Sequence, residues 1–287
     1  DPAKVAAARR EVVAVTHTHL DAFERGDFDA WAGTFSRDGF LIAADPSESI
    51  EGAASMAAEM HREMDTALDQ GLRLDIRSTD LQVGLAHNLK GAWVSDELAY
   101  VAYYGGDSLK FKLRFSGVLD KQDEVWRFEA TNFSRGVSLL ELAARADTGG
   151  IVTPAPVRHS DTGARDLERV VREAFADTSK LMRLMAKNES VQVMGPAPGQ
   201  RASGPAVAAL LRDEFQSRGA FQLVDEQIRV RRRGSMGWAV ANLTRSERPG
   251  WKTMNVPYRA LLVFESCGEG CWRLVQAHFS NGTRDPE

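Results

Sequence analysis

The chain has 287 residues, 43% of them hydrophobic and 26% charged, with a formal net charge of -4. That length supplies two cores of common domain size. The acidic balance leaves no electrostatic reason to bind nucleic acid or an anionic membrane surface. No apolar run reaches the ~18 residues that a membrane-spanning helix needs. The chain opens on Asp1-Pro2 without an initiator Met, so removal of an upstream segment is expected, and cytoplasmic and extracytoplasmic locations both stay open.

In chain order, Val5, Val12, Val15, His19, Leu20 and Phe23 recur at helical spacing, and Gly26 follows as a stop. Asp27 caps a short helix carrying Trp31 and Phe35, and a short strand is predicted over 40–44. A third helix is predicted over 52–68, where Met56, Met60 and Met64 share a face. The pattern then changes to strands over 72–83, 90–104, 109–119 and 125–133, broken by Gly, Asp and Asn turns. Residues 148–156 are rich in Gly and Pro and read as a linker, preceded by a short helix over 138–146. Beyond it, Leu167, Val170, Val171, Ala174 and Phe175 mark a helix and 206–215 another, followed by strands over 221–230, 237–244, 258–265 and 272–279. Helices first and an antiparallel sheet last is the α+β order.

The two halves repeat one another. Trp93 and Trp238 lie 145 residues apart, each in a short apolar run. Trp126-Arg127-Phe128 recurs as Trp272-Arg273-Leu274, and Asn132-Phe133-Ser134 as His278-Phe279-Ser280. The reading is two tandem units, 1–137 and 164–287, joined through 138–163. Cys267 and Cys271 flank Gly268-Glu269-Gly270 at a hairpin tip. A disulfide and two free thiols both remain open, and two cysteines without a nearby His pair do not make a metal site.

Three helices followed by a curved antiparallel sheet, closing on Trp272-Arg273-Leu274-Val275 and His278-Phe279-Ser280, resembles the nuclear-transport-factor-two-like superfamily, particularly its SnoaL-like and ketosteroid-isomerase-like branches. The resemblance covers nearly the whole chain, twice. It implies two cone-shaped repeats, each a sheet wrapped around its helices with a mostly apolar cavity inside. Members commonly dimerise through the outer sheet face, which a tandem chain would supply internally as a pseudo-dimer. The same fold hosts isomerases, cyclases, hydrolases, dehydratases, carriers and association domains, so function must be argued from the site.

Asp45-Pro46 resembles the Asp-Pro of ketosteroid isomerases, whose carboxylate moves a proton beside a carbonyl, and Phe40, Ile42 and Ala44 would desolvate it. The competing reading is a loop Asp before Pro. His19 stands where the isomerases resemble a substrate-binding tyrosine, and would donate a hydrogen bond or carry a proton; a core histidine satisfied by one partner is the plainer explanation. The isomerases' acid on the penultimate strand is missing from Lys112-Leu113-Arg114-Phe115-Ser116, which argues against steroid isomerisation itself.

Simple alternation puts Asn132 with Trp126, Phe128 and Ala130, and His278 with Trp272, Leu274 and Gln276, on faces expected to be concave. Trp31, Trp93 and Trp238 are expected as cavity walls, with Asn242, Tyr103 and Tyr258 as polar contacts to a ligand. His61 and Asp65 read as a surface pair. His17, His19 and Asp21 diverge around their helix, so no metal is expected, nor any cofactor. Arg229, Arg231, Arg232 and Arg233 read as a solvated hairpin end. In the second unit Val170 and Gly195 answer His19 and Asp45, so acid-base work would fall to the first. The expected function is binding of a small apolar molecule in a conical cavity, with isomerase, cyclase or hydrolase chemistry in the first unit, against a non-catalytic binding or association scaffold.

Overall fold

The computed structural model describes residues 1–157, 160–248 and 253–283. It divides into two compact units, Asp1–Ala43 with Ser49–Phe133, and Ala44–Glu48 with Ser134–Glu287.

The first unit opens with α1 (Pro2–Glu24), N-capped by Asp1, and α2 (Phe28–Ala32), whose Asp27 carboxylate accepts from the Ala30 amide. There follow β1 (Phe35–Ile42), β2 (Ser49–Glu51), α3 (Ala53–Asp69), β3 (Arg73–Ser78), β4 (Gln82–Leu85), β5 (Gly91–Tyr104), β6 (Asp107–Gln122) and β7 (Val125–Ser134). The sheet runs β2-β1-β7-β6-β5-β3, with β4 also on β5. β1 pairs with β7 in parallel, so the strand arriving from the helices closes beside the last one. That first strand starts five residues earlier than its apolar run indicates, and the strand predicted over 72–83 divides into β3 and β4, where Thr79 turns back onto the Glu97 carbonyl. Ala8, Val12 and Leu20 of α1 and Met56 and Met60 of α3 pack on Ala92, Val94 and Leu98 of β5 and Leu113, Phe115 and Leu119 of β6.

The second unit contains α4 (Leu139–Asp147), a single 3-10 turn (Thr162–Ala164), α5 (Arg165–Ala176), α6 (Thr178–Leu184), β8 (Gln192–Met194), β9 (Arg201–Ser203), α7 (Ala206–Arg218), β10 (Gln222–Arg233), β11 (Met236–Glu247), β12 (Met254–Gly268) and β13 (Cys271–Asn281). Its sheet order is β10-β11-β12-β13-β8-β9, with β8 parallel to β13 as β1 is to β7. Ser138 and Glu141 form a reciprocal cap on α4. The Gly- and Pro-rich stretch after it is tied down: Val152 donates to the Gly282 carbonyl and Val157 to the Gln227 side chain. Cys267 and Cys271 are bonded to each other across the β12–β13 tip, with Cα atoms 5.1 Å apart.

One device recurs in both units. The Trp126 indole at the start of β7 donates to Glu11 of α1 (2.9 Å), while Lys121 pairs with the same carboxylate and lies over the ring. The Trp272 indole at the start of β13 donates to Asp166 of α5 (2.9 Å), with Arg232 over that ring. The hydrogen bond from Lys121 holds the Glu11 carboxyl below its usual range. Burial alone would raise the Asp166 carboxyl, but the Trp272 bond and the Arg232 charge bring it below its usual range. The arginine run is therefore not simply a solvated hairpin end: Arg229 is buried and Arg232 covers a tryptophan.

Alternation fails in the last strand of each unit. Val263 pairs with Gln276 but Phe264 pairs with Leu274, so Val275 is an extra residue and the side chains change faces across it. In β7, Trp126 and Phe128 belong to the helix-side core, yet Thr131 pairs with core residue Leu41 and Phe133 stacks against Phe115. Asn132 and His278 consequently lie on the face turned away from their unit's helices, not on the expected concave one.

Candidate functional site

In the first unit, His19 is fully buried on the apolar stripe of α1. Its Nε2 accepts from the Trp31 indole (3.1 Å), so Nδ1 carries the hydrogen and donates to Thr34 Oγ1 (2.8 Å), whose own hydroxyl donates to the Trp31 carbonyl (2.7 Å). The rings of Trp31, Phe35, Phe115, Phe128 and Phe133 surround it at centroid distances of 4.8 to 6.3 Å. Burial pushes its pKa down to about 3. The imidazole is neutral, held in one tautomer, and has neither nitrogen left for another partner. Trp31 shares that commitment.

Asp45 and His19 belong to different compact units. The Asp45 carboxylate accepts from the amide (2.7 Å) and hydroxyl (2.6 Å) of Ser47, which makes it the pivot of a loop turn. The loop is clamped by buried Arg259 of β12, whose Nη1 contacts the carbonyls of Asp45 (3.3 Å), Pro46 (3.3 Å) and Glu48 (3.1 Å). Burial lowers the Arg259 pKa to about 10, with the Asp45 and Glu48 charges opposing that shift.

Several expected wall residues are displaced for one reason: they occupy the sheet face opposite the helices. Ala92 and Val94 enter the helix-side core, so Trp93 between them faces outward, its ring covering Gly84. Gly237 touches Leu167 of α5, which turns Trp238 outward. On the same face Asn242, opposite Arg259, donates to the Ala155 carbonyl (2.8 Å) and to Gln227 (3.3 Å), while His278 Nε2 meets Ser134 Oγ (2.7 Å). Asn242, Arg259 and His278 thus stitch preceding segments of chain onto the second sheet. Tyr103 lies 36% exposed near the end of the β5–β6 hairpin, under Arg73. His61 and Asp65 do pair at the surface (3.0 Å), with Asp29 3.7 Å from the other nitrogen, and Asp65 raises the His61 pKa.

Tyr258 alone among the second unit's expected contacts faces the helices, and it belongs to a buried polar network. Val207, Leu211 and Glu214 follow one stripe of α7, which carries the Glu214 carboxylate inward. Leu243, Arg245 and Glu247 alternate on β11, so both charges share the core face with Tyr258, which is paired opposite Leu243. Arg245 Nη1 lies 2.7 Å from Glu214 Oε1, and Nη2 lies 2.6 Å from Glu247 Oε1. The Tyr258 hydroxyl donates to that Glu247 oxygen, and Gln200 Nε2 donates to Glu214 (2.5 Å). Gly195 allows this last contact, since a Cβ there would lie 2.6 Å from Gln200 Oε1. Aromatic rings form the floor: Phe221 lies 4.2 Å from the guanidinium, is stacked on Phe279 at 4.8 Å and meets Tyr258 edge-on at 5.0 Å.

Burial alone would lower the Arg245 pKa, but Tyr258, Glu214 and Glu247 beside it leave it raised. The guanidinium is therefore a fixed buried cation. Sequence reasoning passed over Glu214, Arg245 and Glu247. The available signal was an acid on a helix's apolar stripe, together with two charges two apart on the apolar face of a strand. Among the described residues no group of three His, Cys, Asp or Glu side chains is placed to hold a metal ion, and no helix is long and apolar enough to cross a membrane.

The model of the SnoaL-like domain family matches residues 12–138 and again 172–283, and the chain belongs to that family, in tandem. A search of curated proteins gives no match. Among solved structures, an NTF2-like protein with a cystatin-like fold from Novosphingobium aromaticivorans is 15% identical, with 50% of this chain and 91% of that one covered and a TM-score of 0.42. A Catenulispora acidiphila protein in complex with S-DNPA is 14% identical, covering 45% and 93%, with a TM-score of 0.40. A putative scytalone dehydratase from Novosphingobium aromaticivorans is 10% identical, covering 46% and 87%, with a TM-score of 0.41.

Proposed function

We propose that this tandem SnoaL-like protein binds a small, mainly apolar molecule in the interior of its second unit, while the first unit serves as a packed scaffold. The observation that carries the reading is the contrast between the two interiors. In the first, His19 is neutral and enclosed by five aromatic rings, with both nitrogens engaged. In the second, Arg245, Glu214, Glu247 and Tyr258 are engaged with one another, but they set a buried cation and two carboxylates beside an aromatic floor, and polar groups against an apolar wall are what orient a ligand. Acid-base chemistry at Asp45 and His19 is disfavoured by the same geometry, because one is a loop pivot and the other a sealed core residue.

The test is a small-molecule library read by thermal shift, since a ligand held only by the native form raises the melting point. Hits should bind with unchanged affinity to His19→Gln and Asp45→Asn, and at least ~10-fold more weakly to Tyr258→Phe. Hits that depend on His19 or Asp45 and ignore Tyr258 would return the site to the first unit.

A further inference from the structure

The bond between Cys267 and Cys271 spans a sequence separation of only 4, across the tip of the β12–β13 hairpin. Ser266 pairs with Trp272 and Gly268 with Cys271, so Cys267 is an extra residue set by a bulge beside its partner. Gly268 (φ 139°) and Gly270 (φ 64°) take backbone conformations that favour glycine, and a Cβ at either would meet nothing within 4 Å. Cys271 is exposed and Cys267 half-buried, so the bond is open to solvent from the Cys271 side. The hairpin does not depend on it. Phe264, Glu265 and Ser266 pair with Leu274, Arg273 and Trp272. The Ser266 amide donates to the Ser235 carbonyl of the β10–β11 turn (2.7 Å), and the Trp272 indole is anchored on Asp166 (2.9 Å). Closing so short a loop removes little chain entropy from the unfolded state, so as a staple the bond adds little to stability.

We infer that Cys267–Cys271 is a thiol–disulfide exchange site that reacts with a low-molecular-weight thiol of the glutathione type, arriving at Cys271. The incoming thiolate attacks Cys271 Sγ from the side away from Cys267. The new S–S bond forms as the old one breaks, and Cys267 leaves as a thiolate that takes a proton from water. A second thiolate then attacks the outer sulfur of the mixed disulfide, forming the small-molecule disulfide and releasing Cys271, which is protonated in turn. Two small thiols are oxidised and one protein disulfide is reduced, a two-electron exchange. The reverse sequence restores the bond, because the strand pairs beside the tip keep the two cysteines at bonding distance, with Cα atoms 5.1 Å apart. Exposure selects the sulfur: access favours attack at Cys271 and makes half-buried Cys267 the leaving group.

The experiment is reduction of the native full chain by glutathione, stopped with acid and followed by peptide mass mapping. The rate should rise in proportion to glutathione and change less than about twofold as sub-denaturing urea is added, because attack needs no unfolding. The mixed disulfide caught by the acid should sit on Cys271 at least about 10-fold more often than on Cys267. Oxidised glutathione should re-form the bond in the reduced chain. Cys267→Ser combined with Cys271→Ser should melt at most about 8 °C below wild type. A rate that saturates in glutathione and climbs steeply with urea would show a bond reached only through unfolding, and overturns the inference. So does glutathione carried mainly by Cys267, failure of the bond to re-form, or a much larger fall in melting temperature, which would mark a structural staple.

Discussion

Replacing His19 by Gln tests the description of the first unit's interior. Folded His19 has a pKa of about 3 because burial disfavours its charged form, whereas the unfolded residue titrates near 6.5. Below pH 6.5 the unfolded chain binds a proton that the folded one refuses. The contribution is therefore fully present above the unfolded value and is lost as the pH falls toward the folded one. Between pH 7 and pH 5 this residue alone should remove about 2 kcal/mol of stability, taken as about 1.4 kcal/mol for each unit below 6.5. Glutamine can still accept from Trp31 or donate to Thr34 but does not titrate. The variant should start about 1–2 kcal/mol less stable at pH 7, having lost part of the buried chain of hydrogen bonds, and then decline less on acidification. Native-state hydrogen exchange of peptides spanning α1, corrected for the intrinsic pH dependence of exchange, reads the local opening free energy in both proteins. Parallel pH profiles for wild type and His19→Gln would refute the claim that His19 is buried and neutral.

Three further outcomes are expected. Trp126→Phe and Trp272→Phe each remove an indole hydrogen bond to a carboxylate, so each should cost about 1.5–3 kcal/mol in urea denaturation, and a large cost at one site with none at the other would contradict the shared device. Arg245→Met strands two buried carboxylates and should destabilise by about 3–5 kcal/mol, much of it recovered when Glu214→Gln and Glu247→Gln are added; no recovery in thermal melts would show that the charges are not the cause. His61→Ala should matter most in acid. The raised folded pKa of His61 gives a contribution that is present below pH 6.5 and lost as the pH rises through the folded value, so the gap in melting temperature between wild type and variant should close on going alkaline.

The candidate site was less legible in the sequence than the fold was. Met56 and Met60 reach the core as their helical spacing requires, and the paired tryptophans 126 and 272 mark equivalent strands. His278 falls on the other face because it follows the extra residue Val275, and Asn132 because the core-facing positions of β7 change from even to odd between Phe128 and Phe133. Asp45 carried an active-site resemblance, yet its surroundings are Ser47 and the loop held by Arg259, more than two hundred positions further along the chain.

The sequence by itself determined the duplication, the α+β order of elements and the helical stripes, because these depend on spacing among neighbouring residues. Only the tertiary structure decided which polar groups are partners. The environment of Arg245 is set by Glu214 on a preceding helix, Tyr258 on the next strand and Phe221 before β10, and that of His19 by Thr34 and rings drawn from three strands. A polar side chain is a sealed core group or a ligand contact according to what lies within about 3 Å of it, and that distance is fixed by packing between segments remote in sequence.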